Sequence, residues 1–274
     1  MGCLLRALQD RAGEFISLRR DIHRHPELAF DEHRTAALVA DKLEGWGYAV
    51  ERGIGGTGVV GTLVRDSGAK RLGLRADMDA LPIIEANGAE WSSTHRGVMH
   101  ACGHDGHTAM LPAAARHLAE EGRFNGTLHL IFQPAEEGGG GALRMMEDGL
   151  FERYPCDAIF AMHKLPGVEQ GRLVLRDGAA MASSDCASIT LHGIGGHGAM
   201  PHRAADPIVA AASIVMALQT ISNSASRPWW RRRPKALVSR RGLTGSRATR
   251  CWSTRRLKPR SRAKWRSNSS APSG

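Results

Sequence analysis

The sequence predicts an α/β fold, and three observations carry that expectation. Segments with apolar residues at three- and four-residue spacing alternate with short apolar or β-branched runs bounded by Gly, Pro and Asp. Residues able to bind a metal or move a proton fall directly after the predicted strands, where an open α/β sheet places its site. A length of 274 residues is enough to bury a sizeable core in one large domain or two smaller ones. The formal charge of +10 hides a division: residues 1–223 carry 21 Lys/Arg against 27 Asp/Glu, a net of −6, whereas residues 224–274 carry 16 Lys/Arg and no acid.

Leu4, Leu8, Phe15, Leu18 and Ile22 recur at helical spacing and predict an amphipathic helix, which His25-Pro26 should end. The histidines of His23–His25 are expected at a helix end or a substrate rim. A second helix is expected from Glu32, with Leu38, Val39 and Leu43 inward, stopping at Gly45-Trp46-Gly47. Tyr48–Arg52 reads as a strand. Gly53–Gly58 then spells G-x-G-x-x-G, but a dinucleotide fingerprint needs a helix next, and Val59–Val64 is β-like. A glycine-rich hairpin is the expectation. Arg71–Ala76 is a strand that delivers Asp77 and Asp79, which share a face if the strand continues.

The densest chemistry lies in His100–His107: three His, one Cys and one Asp within eight residues. Cys102 and His104 can reach one ion if the chain is extended, because positions two apart share a face, and Gly103 and Gly106 let the backbone bend closely. With Glu136, Glu137 and His163 they form a mixed S/N/O donor set that suits zinc, with manganese, cobalt or nickel as rivals. Thr108–Glu121 predicts a helix burying Met110, Leu111, Ala114, Ala115 and Leu118. Thr127–Phe132 predicts a buried strand, and a glycine-permitted kink after it can aim Glu136 and Glu137 at two tasks. Leu143–Leu150 is a short helix and Ala158–Met162 a strand ending at His163. Ser188–His192 reads as β-like, Gly195–His202 as a loop, and Asp206 as the N-cap of a helix that opens with Pro207.

Met99–Met110 resembles the signature of the hippurate hydrolase / N-acyl-amino-acid amidohydrolase family, which is related to aminoacylases and zinc carboxypeptidases. Arg75–Pro82 (RADMDALP), Gln133–Gly139 (QPAEEGG), Ala161–Pro166 (AMHKLP) and Gly195–Pro207 (GGHGAMPHRAADP) match in order, over roughly residues 10 to 222. The resemblance implies a mixed-sheet metallohydrolase catalytic domain with helices on both faces, here residues 1–184, and an incomplete α+β lid or dimerisation domain at 185–223. It implies two divalent ions (Zn, Mn, Co or Ni) in the intact site, with Cys102, His104, Glu137 and His163 as metal ligands. It implies Glu136 as general base, Asp79 as the acid orienting a ligand or the bridging water, and His197 as an oxyanion stabiliser reaching a neighbouring subunit. Asp77 stands nearer the position where relatives outside this subgroup carry a metal-binding His, and a plain turn acid is the equal alternative. His202 is expected to be an ordinary loop residue.

The implied reaction is metal-assisted hydrolysis of an N-acyl amino acid to a carboxylic acid and an amino acid, with benzoyl-glycine, N-acetyl-amino acids and N-acetyl-diaminopimelate all open as substrates. Residues 224–274, with thirteen Arg and four of the six Trp, read as a disordered polycation or as out-of-frame translation. No His follows Ser224, so the family's final ligand has no counterpart there, and one ion or none is expected to be held. The competing reading is an inactive metal-binding remnant or a nucleic-acid-associated protein acting through that tail. A homodimer is expected only with a complete lid. Five scattered cysteines without CxxC, no signal peptide and no long apolar run point to the cytoplasm and away from a membrane.

Overall fold

Val59-Val60 and Leu130-Ile131-Phe132 are buried at every position, which a strand achieves only when both faces of its sheet are covered. The computed structural model describes residue 6, residues 8–175 and residues 188–222, and in it these runs form the centre of a five-stranded mixed sheet. The strands are β1 (Ala49–Ile54), β2 (Gly58–Arg65), β3 (Arg71–Asp77), β4 (Gly126–Gln133) and β5 (Ala158–Ala161), in the order β1-β2-β4-β3-β5. β1/β2 and β2/β4 pair antiparallel, whereas β4/β3 and β3/β5 pair parallel.

Helices α1 (Ala12–Arg24), α2 (His33–Gly45), α3 (His104–Glu120), α4 (Gly141–Glu147) and α5 (Leu150–Arg153) accompany the sheet. Successive side chains of a strand point to opposite faces, and the two cores divide accordingly. Val59, Leu130 and Phe132 pack with Val39 and Leu43 of α2 and Leu111 and Ala115 of α3. Val60 and Ile131 pack on the other face with Ile54, Met145 and Leu150. α1 lies against α3 through Leu18, Ile22 and Ala109. The α/β expectation, with a mixed sheet and helices on both faces, therefore holds.

Several boundaries move, for identifiable reasons. α3 begins at His104 rather than Thr108, because Gly103 takes the left-handed N-cap position (φ 96°), which glycine enters without a Cβ penalty. Met110 is exposed where burial was expected, while Leu111 and Ala115 are buried. The predicted Leu143–Leu150 helix is two short ones, α4 and α5, separated at Gly149 in the left-handed region. Gly53–Gly58 forms a hairpin leading into β2, and no helix follows it.

The described residues fall into two compact units divided after Arg172. In the second unit, Ser188–His192 is not a strand; the nearest pairing is a single antiparallel bridge beyond it, Ile194 to Ala205. A 3₁₀ turn spans Pro201–Arg203, and α6 covers Pro207–Ser222. Asp206 caps α6 as expected, its Oδ1 accepting from Ile208 N at 2.8 Å. Among the described residues no helix is long and apolar enough to cross a membrane. Residues 224–274 lie outside the described residues, as do the expectations about them.

Phe132 is fully buried at the centre of the larger core. Phe132→Ala should cost about 3–5 kcal/mol, the usual penalty for emptying an aromatic core site. The change would be read from the urea midpoint with an unchanged m-value; a loss below about 1 kcal/mol would contradict this packing.

Candidate metal centre

β3, β4 and β5 run parallel, so their carboxyl ends lie at one edge of the sheet. From those ends the chain presents Asp77 and Asp79, Glu136 and Glu137, and His163, while α3 brings in His104 as its first residue. Cys102 and His104 do not meet along an extended strand, as spacing alone had suggested. The left-handed Gly103 turns the chain between them into the helix.

His104 is fully buried. Its Nδ1 lies 2.9 Å from the Asp79 carbonyl oxygen and 3.1 Å from Asp79 Oδ1. Both are pure acceptors, so Nδ1 carries the proton, and in the neutral ring Nε2 holds a lone pair. That Nε2 is buried without a hydrogen-bond partner. It faces Asp77 Oδ2 at 3.7 Å and Glu136 Oε2 and Glu137 Oε1, each at 3.9 Å. A buried lone pair confronting carboxylates is costly unless a cation sits among them. Burial pulls the His104 pKa down, but the Asp79 hydrogen bond and the Asp77 and Glu136 charges raise it above 6.5. The same field that draws a proton there would draw a metal ion.

His163 repeats the pattern. Its Nδ1 donates to its neighbour's carbonyl, Lys164 O, at 2.7 Å, and its Nε2 lies 3.4 Å from Cys102 Sγ. Burial, followed by Glu137, pushes the Cys102 thiol up to about 12, so in this anionic setting a thiolate requires a cation beside it. Cys102/His104/His163 and His104/Glu136/Glu137 each place three donor atoms within 4.8 Å of one another, sharing His104. The donors are soft sulfur and imidazole on one side and carboxylates on the other, a set that fits divalent ions of the zinc type.

Asp77, His104 and His107 form a third such group, but its Asp77 and His107 atoms are already committed. His107 Nδ1 meets Asp77 Oδ1 at 2.7 Å, and His107 Nε2 accepts from Lys164 N at 3.0 Å. Arg75 Nη1 donates to Asp77 Oδ2 at 2.7 Å. Burial alone would raise the Asp77 pKa, yet His107 and Arg75 hold it near about 2. The turn-acid reading of Asp77 is thereby corrected: it is a buried anchor for His107 and Thr108, whose Oγ1 donates to Asp77 O at 2.7 Å. Asp79 has two duties, since its Oδ2 accepts from Glu137 N at 2.8 Å while Oδ1 holds His104. The kink before Glu136 is carried by Ala135 at φ 48°, a left-handed conformation that costs a non-glycine residue about 1–2 kcal/mol.

The sequence reading missed Arg75, His107 and Lys164 as supports. His107 lies three residues after His104 on one helix, so shared-face spacing was an available signal. It also missed the group beneath the motif: Asp105, fully buried, meets His23 Nδ1 at 2.9 Å and Arg19 Nε at 2.7 Å, and His23 Nε2 meets Glu85 Oε1 at 3.0 Å. His23 is thus a buried tie between α1 and α3, not a rim residue. His197 lies in the other unit, exposed, with Ala199 N donating to its Nδ1 at 3.1 Å. His202 is exposed in the 3₁₀ turn.

The profile of peptidase family M20/M25/M40 matches residues 73–250 of this chain. Hippurate hydrolase of Campylobacter jejuni is 52% identical over 218 residues, 80% of this chain and 57% of that protein. N-acetyl-L-cysteine deacetylase of Bacillus subtilis is 40% identical over 209 residues, 76% of this chain and 50% of its own length. The chain therefore spans about half the length of the curated relatives it matches. Among solved structures, an aminohydrolase of methicillin resistant Staphylococcus aureus aligns with TM-score 0.65 and 37% identity, covering 82% of this chain and 60% of that one. The YXEP protein of Bacillus subtilis, a dinuclear metal binding peptidase, aligns with TM-score 0.53 and 38% identity, covering 59% and 44%.

The hydrogen bond that His23 donates to Asp105 raises its pKa above 6.5 against the opposing effect of burial, with Glu85 adding to the rise. A raised histidine pKa stabilises the fold fully below about pH 6.5 and loses that contribution as pH climbs through the folded-state value. The stability advantage of the parent chain over His23→Gln should therefore be full below about pH 6.5 and shrink as pH rises above it. Urea unfolding of both proteins on either side of that pH checks it; a gap that widens with pH would contradict the pairing.

Proposed function

The chain belongs to peptidase family M20/M25/M40, and from that membership we propose that it is a metal-dependent amidohydrolase that cleaves N-acyl amino acids of the hippurate or N-acetyl type. The observation that carries the reading is the buried His104 Nε2, which has no hydrogen-bond partner and faces Glu136 and Glu137 at 3.9 Å with Cys102 and His163 alongside. Cys102, His104, Glu137 and His163 would hold the metal, and the thiol and imidazole donors favour zinc, with manganese, cobalt and nickel as competitors. When bound, divalent ions supply Lewis acidity and lower the pKa of a coordinated water.

The chain's own residues supply the rest. Glu136 is the more exposed of the two glutamates and faces the same point as His104, which suits a base that must meet a water molecule. It takes the proton from the attacking water and returns it to the amide nitrogen as the C–N bond breaks. Asp79 keeps His104 in the tautomer that presents Nε2 and holds the Glu137 backbone in place. His107, fixed by Asp77 and by Lys164 N, packs beside His163 with ring centroids 4.5 Å apart and limits its rotation. His197, its Nδ1 accepting from Ala199 N, has Nε2 to offer to the developing oxyanion of a neighbouring subunit, in the homodimer that a complete lid would form. The cytoplasm is its proposed location.

The test is hydrolysis of benzoyl-glycine and a panel of N-acetyl-amino acids, with chelator and then added Zn, Mn, Co or Ni. Turnover should vanish on chelation and return with one of these ions. Glu136→Gln should lower kcat by about 10²- to 10⁴-fold, the span of general base catalysis, with metal content retained. Cys102→Ala should lower metal content itself. Metal-independent turnover, or a Glu136→Gln protein with full activity, would sink the proposal.

A further inference from the structure

Glu32 is a fully buried acid that the reaction does not use. No basic side chain pairs with it among the described ion pairs, which is rare for a buried carboxylate. Its partners are instead hydrogen-bond donors. Oε1 accepts from the backbone N–H of Ala135 at 2.8 Å, and Oε2 accepts from the Thr57 hydroxyl. Ala135 is fully buried, left-handed at φ 48°, and immediately precedes Glu136 and Glu137.

The surrounding packing gives that one hydrogen bond its leverage. Phe30, two residues before Glu32, lies under the same loop, since a Cβ on Gly139 would come within 3.1 Å of its ring. Gly141 N closes the loop by donating to Ala135 O at 3.0 Å, and a Cβ on Gly141 would clash with Pro134 O at 1.8 Å. The loop is thus gripped at two amides, Ala135 N by Glu32 and Glu137 N by Asp79. Asp79 fixes Glu137 relative to His104. Glu32 fixes the kink that turns both glutamates, which would point apart on a regular strand, toward a single imidazole nitrogen.

We propose that Glu32 is a positioning residue for the Glu136–Glu137 pair, acting through Ala135 N by holding a non-glycine residue in the left-handed region. The proposal rests on the metal site described above. What matters in it is reach, not charge. Glu32→Gln keeps an acceptor oxygen for Ala135 N and offers an amide N–H to Thr57. Glu32→Asp keeps the acid but withdraws it by one methylene. Glycine adopts a left-handed φ without help, so Ala135→Gly removes the need for the grip.

The experiment follows the Ala135 amide by hydrogen exchange in the metal-free chain, and cobalt(II) affinity through the thiolate-to-cobalt absorption of Cys102. Glu32→Asp should speed Ala135 exchange and weaken cobalt binding by about tenfold or more, the value of one hydrogen bond to a charged group. Glu32→Gln should leave both close to the parent values. Adding Ala135→Gly to Glu32→Asp should restore cobalt affinity without restoring thermal stability, which a merely structural role would not do. Parent-like exchange in Glu32→Asp, a Glu32→Gln chain as impaired as Glu32→Asp, or a double variant that regains no affinity would each overturn the proposal. A parent chain that binds no cobalt overturns the metal reading instead, and the exchange rates still decide the role of Glu32.

Discussion

The Asp79 carboxylate is the interaction on which the rest of the site depends. One oxygen holds His104 Nδ1 and the other holds Glu137 N, so a single buried side chain sets an imidazole against a carboxylate. Those groups come from a helix N-terminus and a loop after a strand, segments that share no local geometry. Burial alone would raise the Asp79 pKa; His104 and the Glu136 and Glu137 amides outweigh it and hold the value down. The acid therefore stays ionised and stays an acceptor, which both contacts require. The fold's contribution is to end three parallel strands at the same edge, where these hydrogen bonds can close.

A second layer stands behind the first. Arg75 and Asp77 leave the end of β3 and hold His107, and Lys164 meets His107 from the end of β5. Lys164 serves through its backbone as well as its charge: its N–H goes to His107, its carbonyl to His163, and its ammonium lies 3.5 Å from Asp105. Asp105 in turn joins α3 to His23 and Arg19 of α1. The first helix is tied to the donor set by an unbroken series of polar contacts, buried at His23 and Asp105 and partly exposed at Lys164. Such networks are rigid when satisfied and costly when partly broken, so damage at α1 would be felt at the donors.

What was legible in the sequence was whatever depended on neighbours in the chain. The apolar runs of β2 and β4, the Asp206-Pro207 start of α6 and the clustering of Cys102, His104 and their acidic companions could all be read from spacing and type. The hairpin at Gly53–Gly58 was legible because a β-like run, not a helix, follows it. What was not legible was set by distant partners. Nothing near Ala135 marks an alanine for the left-handed region; the cause is Glu32, which lies far back in the chain. For Asp77 a turn acid stood as an equal alternative because His107 and Arg75 become its partners only when β3 and α3 pack. Ser188–His192 has the composition of a strand, but a strand needs a partner, and among the described residues the only bridge nearby lies beyond it, at Ile194.

Among the described residues β5 closes the sheet order at one side, and Ile159 and Phe160 on it are exposed, as is Met162 just after it. An outer strand of this kind presents free backbone donors and acceptors beside greasy side chains, which is the template for strand-to-strand recruitment between molecules. Since His163 and Lys164 follow it directly, a molecule recruited there would sit at the rim of the donor set.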